Sequence, residues 1–422
     1  MSIEGRLEEA RARDAADPLA GLRERFVLPR GPRGDPLVYL AGHSLGPLPR
    51  AAEQLIAQEL EDWGGLAVLG HERARRPWVR YHEFLNDELE RLAGARAGEI
   101  VAMNSLTVNL HLMLASFYRP SGRRTKILIE SGAFPSDRHA VVSQIAWHGH
   151  DAASELLELA PQDGSDLVTE SAIEATLERR GAEIAVMLWP GVQYLTGQAF
   201  DLTRITRAAR RAGCIVGFDL AHAIGNLPLA LHAADADFAV WCSYKYLNGG
   251  PGAIGGCFVH ERHAAHGALP RLAGWWGHEP ATRFRMRPEH RPSPGAEGWQ
   301  VSNPPILSSA PLIASLEIFR AAGMERLRAK SVALTGYLEE LLAALPVTLL
   351  TPRDRTARGA QLSLRIATAA APQVLARLEA QGVVCDFREP DVLRVAPAPL
   401  YNRFEDVTLF ACALERALGE RR

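Results

Sequence analysis

The segment from about residue 99 to residue 260 constrains the fold most, because short apolar runs alternate there with helical stretches. KILIE from Lys126, EIAVMLW from Glu183, CIVGFDL from Cys214, FAVWCS from Phe238 and GGCFVH from Gly255 have the length and apolar character of buried strands. NSLTVNLHLMLASFY, from Asn104, opens on capping residues and continues with apolar spacing. DLTRITRAARRAG runs from Asp201, a natural N-cap, to Gly213, a natural residue just past a helix end. This alternation predicts an α/β fold with a mostly parallel sheet covered by helices on both faces.

Around this segment the reading is coarser. A helical arm leads through a Pro- and Gly-rich stretch to a short strand, Val38 to Leu40, and the turn AGHSLGPLP. Helices are expected from about Arg50 to Trp63 and from about Val79 to Leu92. Residues 281–299, rich in Arg, Pro and Gly, read as a long loop of the kind that is often functional. After a helix starting near Pro311, short strands and helices resume, with a last helix from Glu405. The expected division is an N-terminal arm (1–50) that joins the small domain or a dimer contact, a large domain (51–329) and a small C-terminal α/β domain (330–422). A chain of 422 residues can bury cores for both domains.

Charge excludes some partners. The net charge is −2 with both signs interspersed, so no basic stripe points to nucleic acid and no polybasic segment to a membrane surface. The first residues are charged and Ala-rich, without the apolar core of a signal peptide. No apolar stretch approaches membrane-spanning length. The five cysteines form no C-x-x-C pair, so no metal or redox motif is indicated, and their sparse, odd number fits a reducing cytoplasm.

The chemistry concentrates in GFDLAHAIGNLPLALHAADADFAVWCSYKYLNGGPGAIGG. Asp219 ends an apolar strand, and ligands of open α/β sheets bind outside such ends. A carboxylate there either caps the next turn or pairs with a cationic ring nitrogen. Lys245 follows the next strand in Ser243-Tyr244-Lys245-Tyr246. A lysine leaving a buried strand is partly desolvated, which suits Schiff-base chemistry; an S-x-K tripeptide alone is weak. Together, a strand-end Asp, an S-x-K after the next strand and a Gly-rich strand beyond point to pyridoxal phosphate (PLP), whose ring must stay protonated to act as an electron sink. Ser105, Leu106 and Thr107 open a helix whose N-terminus can hold a phosphate. Phe134, in GAFPSD, could stack on the ring. His222 either contacts Asp219 or the cofactor, or merely packs.

These residues carry a family resemblance. YLAGHSLG, GHERARRPW, NSLTVNLHLML, FPSDRHA, GVQYLTGQ, DLAHAIGN, SYKYLNGGPG, GWWGHEPATRF, VSNPPIL and LRVAPAPLYNRF resemble the motifs of the kynureninases over about residues 37–404. The resemblance implies the PLP-dependent transferase fold of type I and a homodimer with shared active sites. Leu106 and Thr107 would contact the phosphate, with Phe134 stacked on the ring and Asp137 lining the site. Asp219 would pair with the pyridine nitrogen, with His222 nearby. Tyr244 would hold the phosphate and relay protons, and Lys245 would carry PLP as a Schiff base. Trp275 and Asn303 would come from the partner subunit. Ser44, His71 and Asn303 would line the substrate's aromatic end, and Arg394 would bind its α-carboxylate, which a guanidinium fork matches.

The implied activity is hydrolysis of the Cβ–Cγ bond of L-kynurenine or 3-hydroxy-L-kynurenine, in tryptophan catabolism. His71 and the Ser302-Asn303 pair tilt the expectation toward the hydroxylated substrate, because a site built to hydrogen-bond a hydroxyl discriminates against its absence. Three positions depart from the family. His43 stands where Asn is usual, Pro190 offers no N–H or hydroxyl at a place where some members have a polar contact, and Leu195 replaces an aromatic. A cysteine desulfurase would need a reactive cysteine on a loop, yet Cys214, Cys242 and Cys257 read as strand residues. A PLP-binding regulator would need an appended DNA-binding unit, which does not appear in the sequence. A nicotinamide dehydrogenase would need a G-x-G-x-x-G turn after the first strand with an acidic residue downstream, which is not found there.

Overall fold

The computed structural model describes residues 3–162, 164–264, 269–367 and 371–419. Its main element is a seven-stranded sheet. In chain order the strands are β1 (Ile100–Ala102), β2 (Lys126–Glu130), β3 (Leu156–Leu159), β4 (Ile184–Pro190), β5 (Ile215–Asp219), β6 (Phe238–Trp241) and β7 (Gly256–Val259). They lie side by side as β1-β7-β6-β5-β4-β2-β3. All neighbouring pairs are parallel except the two made by β7, which runs antiparallel to both β1 and β6. The expected α/β architecture with a mostly parallel sheet is therefore the one found.

These runs form central strands because both of their faces are covered. Alternate residues of one strand enter different cores: Leu128, Met187, Phe218 and Trp241 pack into one, and Ile127, Val186 and Val240 into another. Two glycines interrupt the apolar runs for a steric reason. Gly217 of β5 lies opposite Phe238, and a Cβ there would come within 2.0 Å of the phenyl ring. Gly256 of β7 lies opposite Trp241, and a Cβ there would come within 2.2 Å of the indole. β6 is thus seated at both ends by glycines of its two neighbours.

A second, four-stranded sheet forms from β8 (Thr348–Leu349), β9 (Leu362–Arg365), β10 (Asp386–Arg388) and β11 (Val392–Val395), in the order β8-β9-β11-β10. Its core joins Leu362, Leu364, Leu393 and Val395 to Phe410 and Leu414 of the last helix (Phe404–Gly419). The N-terminal arm packs on this unit. Val38–Tyr39 pairs in parallel with Val383–Val384. Asp14, near the end of the first helix (Ile3–Ala15), accepts hydrogen bonds from the backbone N–H groups of Phe404 (2.8 Å) and Glu405 (3.0 Å), capping a helix far away in sequence.

One element starts earlier than the sequence suggests. The helix expected near Pro311 begins at Ile306 and runs to Ala322 with the proline inside it. A proline within a helix removes one backbone bond, but most side chains from Ser309 to Phe319 are buried, and tertiary packing overrides the local penalty. The helix expected from about Val79 instead begins later, at Glu83, behind a short 3₁₀ turn.

Leu364→Ala tests the small core. The side chain is fully buried between β8 and β11, so the variant is expected to lose about 2–5 kcal/mol of stability, read as a lowered urea midpoint with unchanged m.

Candidate active site

Three strand ends and two helix starts meet at the carboxyl edge of the large sheet. They enclose a cleft of about 680 Å³, counting its open mouth. Eight of the residues expected from sequence line it: Leu106, Thr107, Phe134, Asp137, Asp219, His222, Tyr244 and Lys245.

Lys245 stands on the turn that leaves β6. Asn248 N–H donates to the Lys245 carbonyl (3.0 Å) and Gly249 N–H to that of Ser243 (2.8 Å). The GHSLG turn locks this loop from outside, since Gly46 N–H donates to the Tyr244 carbonyl (2.8 Å). A Cβ at position 46 would lie 2.5 Å from the Lys245 carbonyl oxygen, so only glycine lets the two backbones meet. The Lys245 Nζ is 3.0 Å from His222 Nε2 and 5.7 Å from the centre of the Phe134 ring. Burial, and then the Lys245 and Arg394 charges, hold the His222 imidazole well below its ordinary pKa. It is therefore neutral and can accept a hydrogen bond from the lysine.

The cleft carries an excess of acid. Asp219 Oδ1 accepts from Ala221 N–H (2.7 Å), so the carboxylate caps the next turn as well as lining the cleft. Asp137 is buried, its Oδ1 has no hydrogen-bond partner, and burial together with nearby Asp219 raises its carboxyl well above the usual range. Glu130 ends β2 and is pushed up to about 8, chiefly by burial, with Gln193 opposing and Asp219 adding to the shift. Gln193 cannot turn away. Its Oε1 accepts from Leu195 N–H (2.6 Å) and Thr196 N–H (2.8 Å), which leaves Nε2 aimed at Glu130 Oε1 (3.3 Å). Three carboxyl groups facing one lysine leave room for a cation.

The other end of the cleft suits an anion. The helix Leu106–Phe117 begins without a side-chain cap from Ser105, and the helix Pro135–Trp147 begins beside it. Thr107 Oγ1 and Ser136 Oγ are 2.7 Å apart across the two starts. Asn104 adopts a left-handed φ of 46°, a conformation Asn tolerates, to turn the chain into the first helix. Uncapped N–H groups, two hydroxyls and two helix dipoles make a phosphate cradle. A phosphate there, a ring beside Phe134, a ring nitrogen at Asp219 and a carbonyl at Lys245 would fit PLP.

Five expected residues lie off this cleft. Ser44 sits half-buried in the GHSLG turn. Arg394 is buried and already engaged: its Nε and Nη2 hold Asp386 Oδ1 (2.8 and 2.7 Å), and Nη1 donates to the carbonyl of Tyr194 (2.7 Å), a cleft residue. His71, Trp275 and Asn303 line a separate cleft of about 1050 Å³, counting its open mouth, with Val68, Leu69 and Phe284. Of the three departures, Pro190 ends β4 and gives the active-site cleft a carbon wall. Leu195 serves the structure through its N–H to Gln193. His43 is completely buried with neither ring nitrogen hydrogen-bonded, and burial followed by the Arg394 and Lys245 charges keeps it neutral.

Sequence reasoning passed over Glu130, Ser136, Gln193, Tyr194 and Asp386. Glu130 ends a buried strand just as Asp219 does, so the strand-end rule would have found it. Asp386 lies directly across the β10–β11 pair from Arg394, a pairing that only the register reveals.

The fold is that of the PLP-dependent enzymes of fold type I. The chain superposes with a TM-score of 0.78 on a C-DES mutant solved with glycine covalently linked to its PLP cofactor, at 18% identity over 93% of this chain and 99% of that one. A cysteine desulfurase from Escherichia coli gives 0.77 at 19% identity, over 95% and 98%. The sequence narrows the class. It is 57% identical to a kynureninase of Myxococcus xanthus over 410 residues, 96% of each chain, and 56% identical to one of Xanthomonas euvesicatoria over 409 residues, again 96% of each. Residues 327–414 match the kynureninase C-terminal domain family. The chain belongs to the kynureninase family.

Glu130 gives a pH test. Its folded value of about 8 exceeds the ordinary 4.5, so the folded state binds this proton more tightly than the unfolded one. Stability tied to it is present at low pH and is lost as pH rises between those two values. Glu130→Gln carries no titrating carboxyl. In cofactor-stripped protein its urea midpoint is expected to rise relative to wild type as pH increases from 4.5 to 8; a constant difference would contradict the assignment.

Proposed function

We propose that this enzyme hydrolyses the Cβ–Cγ bond of L-kynurenine or 3-hydroxy-L-kynurenine, releasing anthranilate or 3-hydroxyanthranilate and L-alanine. The observation that carries this reading is near-full-length identity of 56–57% to kynureninases, in a chain whose lysine heads an acid-lined cleft. When bound, PLP supplies an electron sink at the substrate α-carbon.

The chain's own groups do the rest. With PLP bound, Asp219 would keep the ring nitrogen protonated, Thr107, Ser136 and the helix starts behind them would hold the phosphate, and Phe134 would pack against the ring. The Lys245 amine takes the α-proton and returns a proton later. His222, neutral and 3.0 Å from Nζ, orients that amine. Burial, followed by Cys242 and Asp219, raises the Tyr244 phenol above its ordinary pKa, so Tyr244 stays protonated and serves as a donor to the leaving carbon. Arg394 binds the α-carboxylate, which takes over part of the guanidinium now held by Asp386. Water supplies the atoms that complete the aryl carboxylate.

The enzyme acts as a homodimer within the cytoplasm. Supporting the dimer, His71, Trp275 and Asn303 gather in their own cleft beside exposed Val68 and Phe284. A second copy would bring that apolar face against the first and deliver Trp275 and Asn303 to its active site. The arm (1–50) and residues 330–422 form the small domain, and 51–329 the large one. Among the described residues no single helix is long and apolar enough to cross a membrane; the pair Ile306–Ala322 and Met324–Leu342 passes only jointly, bent by 84°, and its apolar side chains are largely buried inside the chain.

Anthranilate fluorescence on adding kynurenine tests the activity. Lys245→Ala is expected to lose about 10²–10⁴-fold or more in kcat; turnover at the wild-type rate would overturn the mechanism. The 3-hydroxy substrate is expected to have the higher kcat/KM, because Ser302 Oγ donates to Asn303 Oδ1 (3.2 Å) and leaves the amide N–H₂ for a ring hydroxyl; a preference for kynurenine reverses that assignment. Mixing inactive Lys245→Ala with inactive Asn303→Ala should restore partial activity through hybrid dimers. No recovery after subunit exchange would argue against shared sites.

A further inference from the structure

At the opposite edge of the large sheet, away from the cleft, three side chains converge that the reaction does not use. Glu99 precedes β1, His260 follows β7, and His232 lies on the segment between β5 and β6. Their ligand atoms all lie within 4.8 Å of one another. We propose that Glu99, His232 and His260 form a binding site for a zinc-type divalent cation.

The geometry carries this. His232 Nδ1 is 2.9 and 3.1 Å from the two Glu99 oxygens, and His260 Nδ1 is 3.7 Å from Oε1. Zinc bonds of about 2.0–2.2 Å to nitrogen and oxygen place tetrahedral ligand atoms roughly 3.3–3.5 Å apart. The observed spacings bracket that range, so only small side-chain shifts separate the cluster from a coordinated site. The two imidazoles stack with centres 4.7 Å apart at 23°. Two stacked imidazolium cations would repel, whereas two neutral rings can share one metal.

The supporting groups are those a metal site needs. Asp235 Oδ1 lies 3.4 Å from His260 Nε2 and favours the tautomer whose Nδ1 lone pair is free for the ion. The backbone N–H groups of Arg96 and Glu261, each at 2.8 Å, fix the Glu99 carboxylate. The cation replaces two contacts: the proton between His232 and Glu99, and the 3.2 Å bond from Arg262 N–H to His260 Nδ1. Nearby positive charge is already neutralised, because Arg96 pairs with Glu261, and Arg262 with Asp235 and Asp237. Glu99 and His260 are buried and His232 is partly exposed, which gives an entry path and an open fourth position for water. Bound there, the ion would clamp the loop carrying His232 to the β1–β7 edge.

The test uses tag-free holoenzyme equilibrated with Zn²⁺ and then dialysed, with metal content and Tm measured beside kynurenine turnover. Wild type is expected to retain one zinc per chain with a raised Tm. His232→Gln and His260→Gln should lose both effects and keep turnover. Wild type retaining no more zinc than His232→Gln would overturn the proposal. If His260→Gln does not fold, the comparison with His232→Gln still decides.

Discussion

A buried carboxylate at the end of a central parallel strand is the constraint on which the rest of the site depends. Asp219 cannot be left as an isolated charge in that position, and the protein surrounds it with more acid instead of with a basic side chain. Asp137 and Glu130 face the same space, and among the described residues lining the cleft Lys245 supplies the positive charge. Burial raises the Glu130 and Asp137 carboxyls, so the acid is held largely as neutral carboxyl groups. In the proposed holoenzyme, a protonated heterocycle set against Asp219 would meet complementary charge, and the same acid would keep its ring proton in place.

The neutral histidines answer the opposite need. His222 beside the Lys245 amine, and His43 behind it, are buried and kept unprotonated by that burial and by the Lys245 and Arg394 charges. A second positive charge next to Lys245 would compete for the carboxylates and would leave the lysine no acceptor. The imidazole gives Lys245 a directional partner without adding charge, which suits an amine that must be positioned and then released.

Much of this was readable from the sequence, for reasons that differ between residues. Strand-end Asp219 and Lys245 were legible because apolar runs announce parallel strands and ligands bind beyond their carboxyl ends. The helix start at Ser105 was legible because a hydroxyl residue precedes an apolar helical run, although the Ser105 side chain itself makes no cap. Arg394, Ser44, Trp275, Asn303 and His71 came only from family motifs, since nothing in their local pattern marks them. Gln193 was illegible because its role depends on two backbone N–H groups fixing its amide. Asp386 was illegible because its link to Arg394 is a matter of cross-strand register. Pro311 misled the reading of one helix, where burial outweighed a local breaker.

The glycine seats around β6 carry a consequence for how this family can vary. Phe238 and Trp241 occupy space that Gly217 and Gly256 leave empty on either side, and the strand between them delivers Lys245. A larger residue at either glycine would push β6, and with it the lysine, out of line with Asp219. Sequence drift at these four positions is therefore coupled: bulk can migrate from one strand to its neighbour only if both partners change together. Homologues that replace Phe238 or Trp241 with smaller residues should be the ones in which the facing glycine has been released to grow.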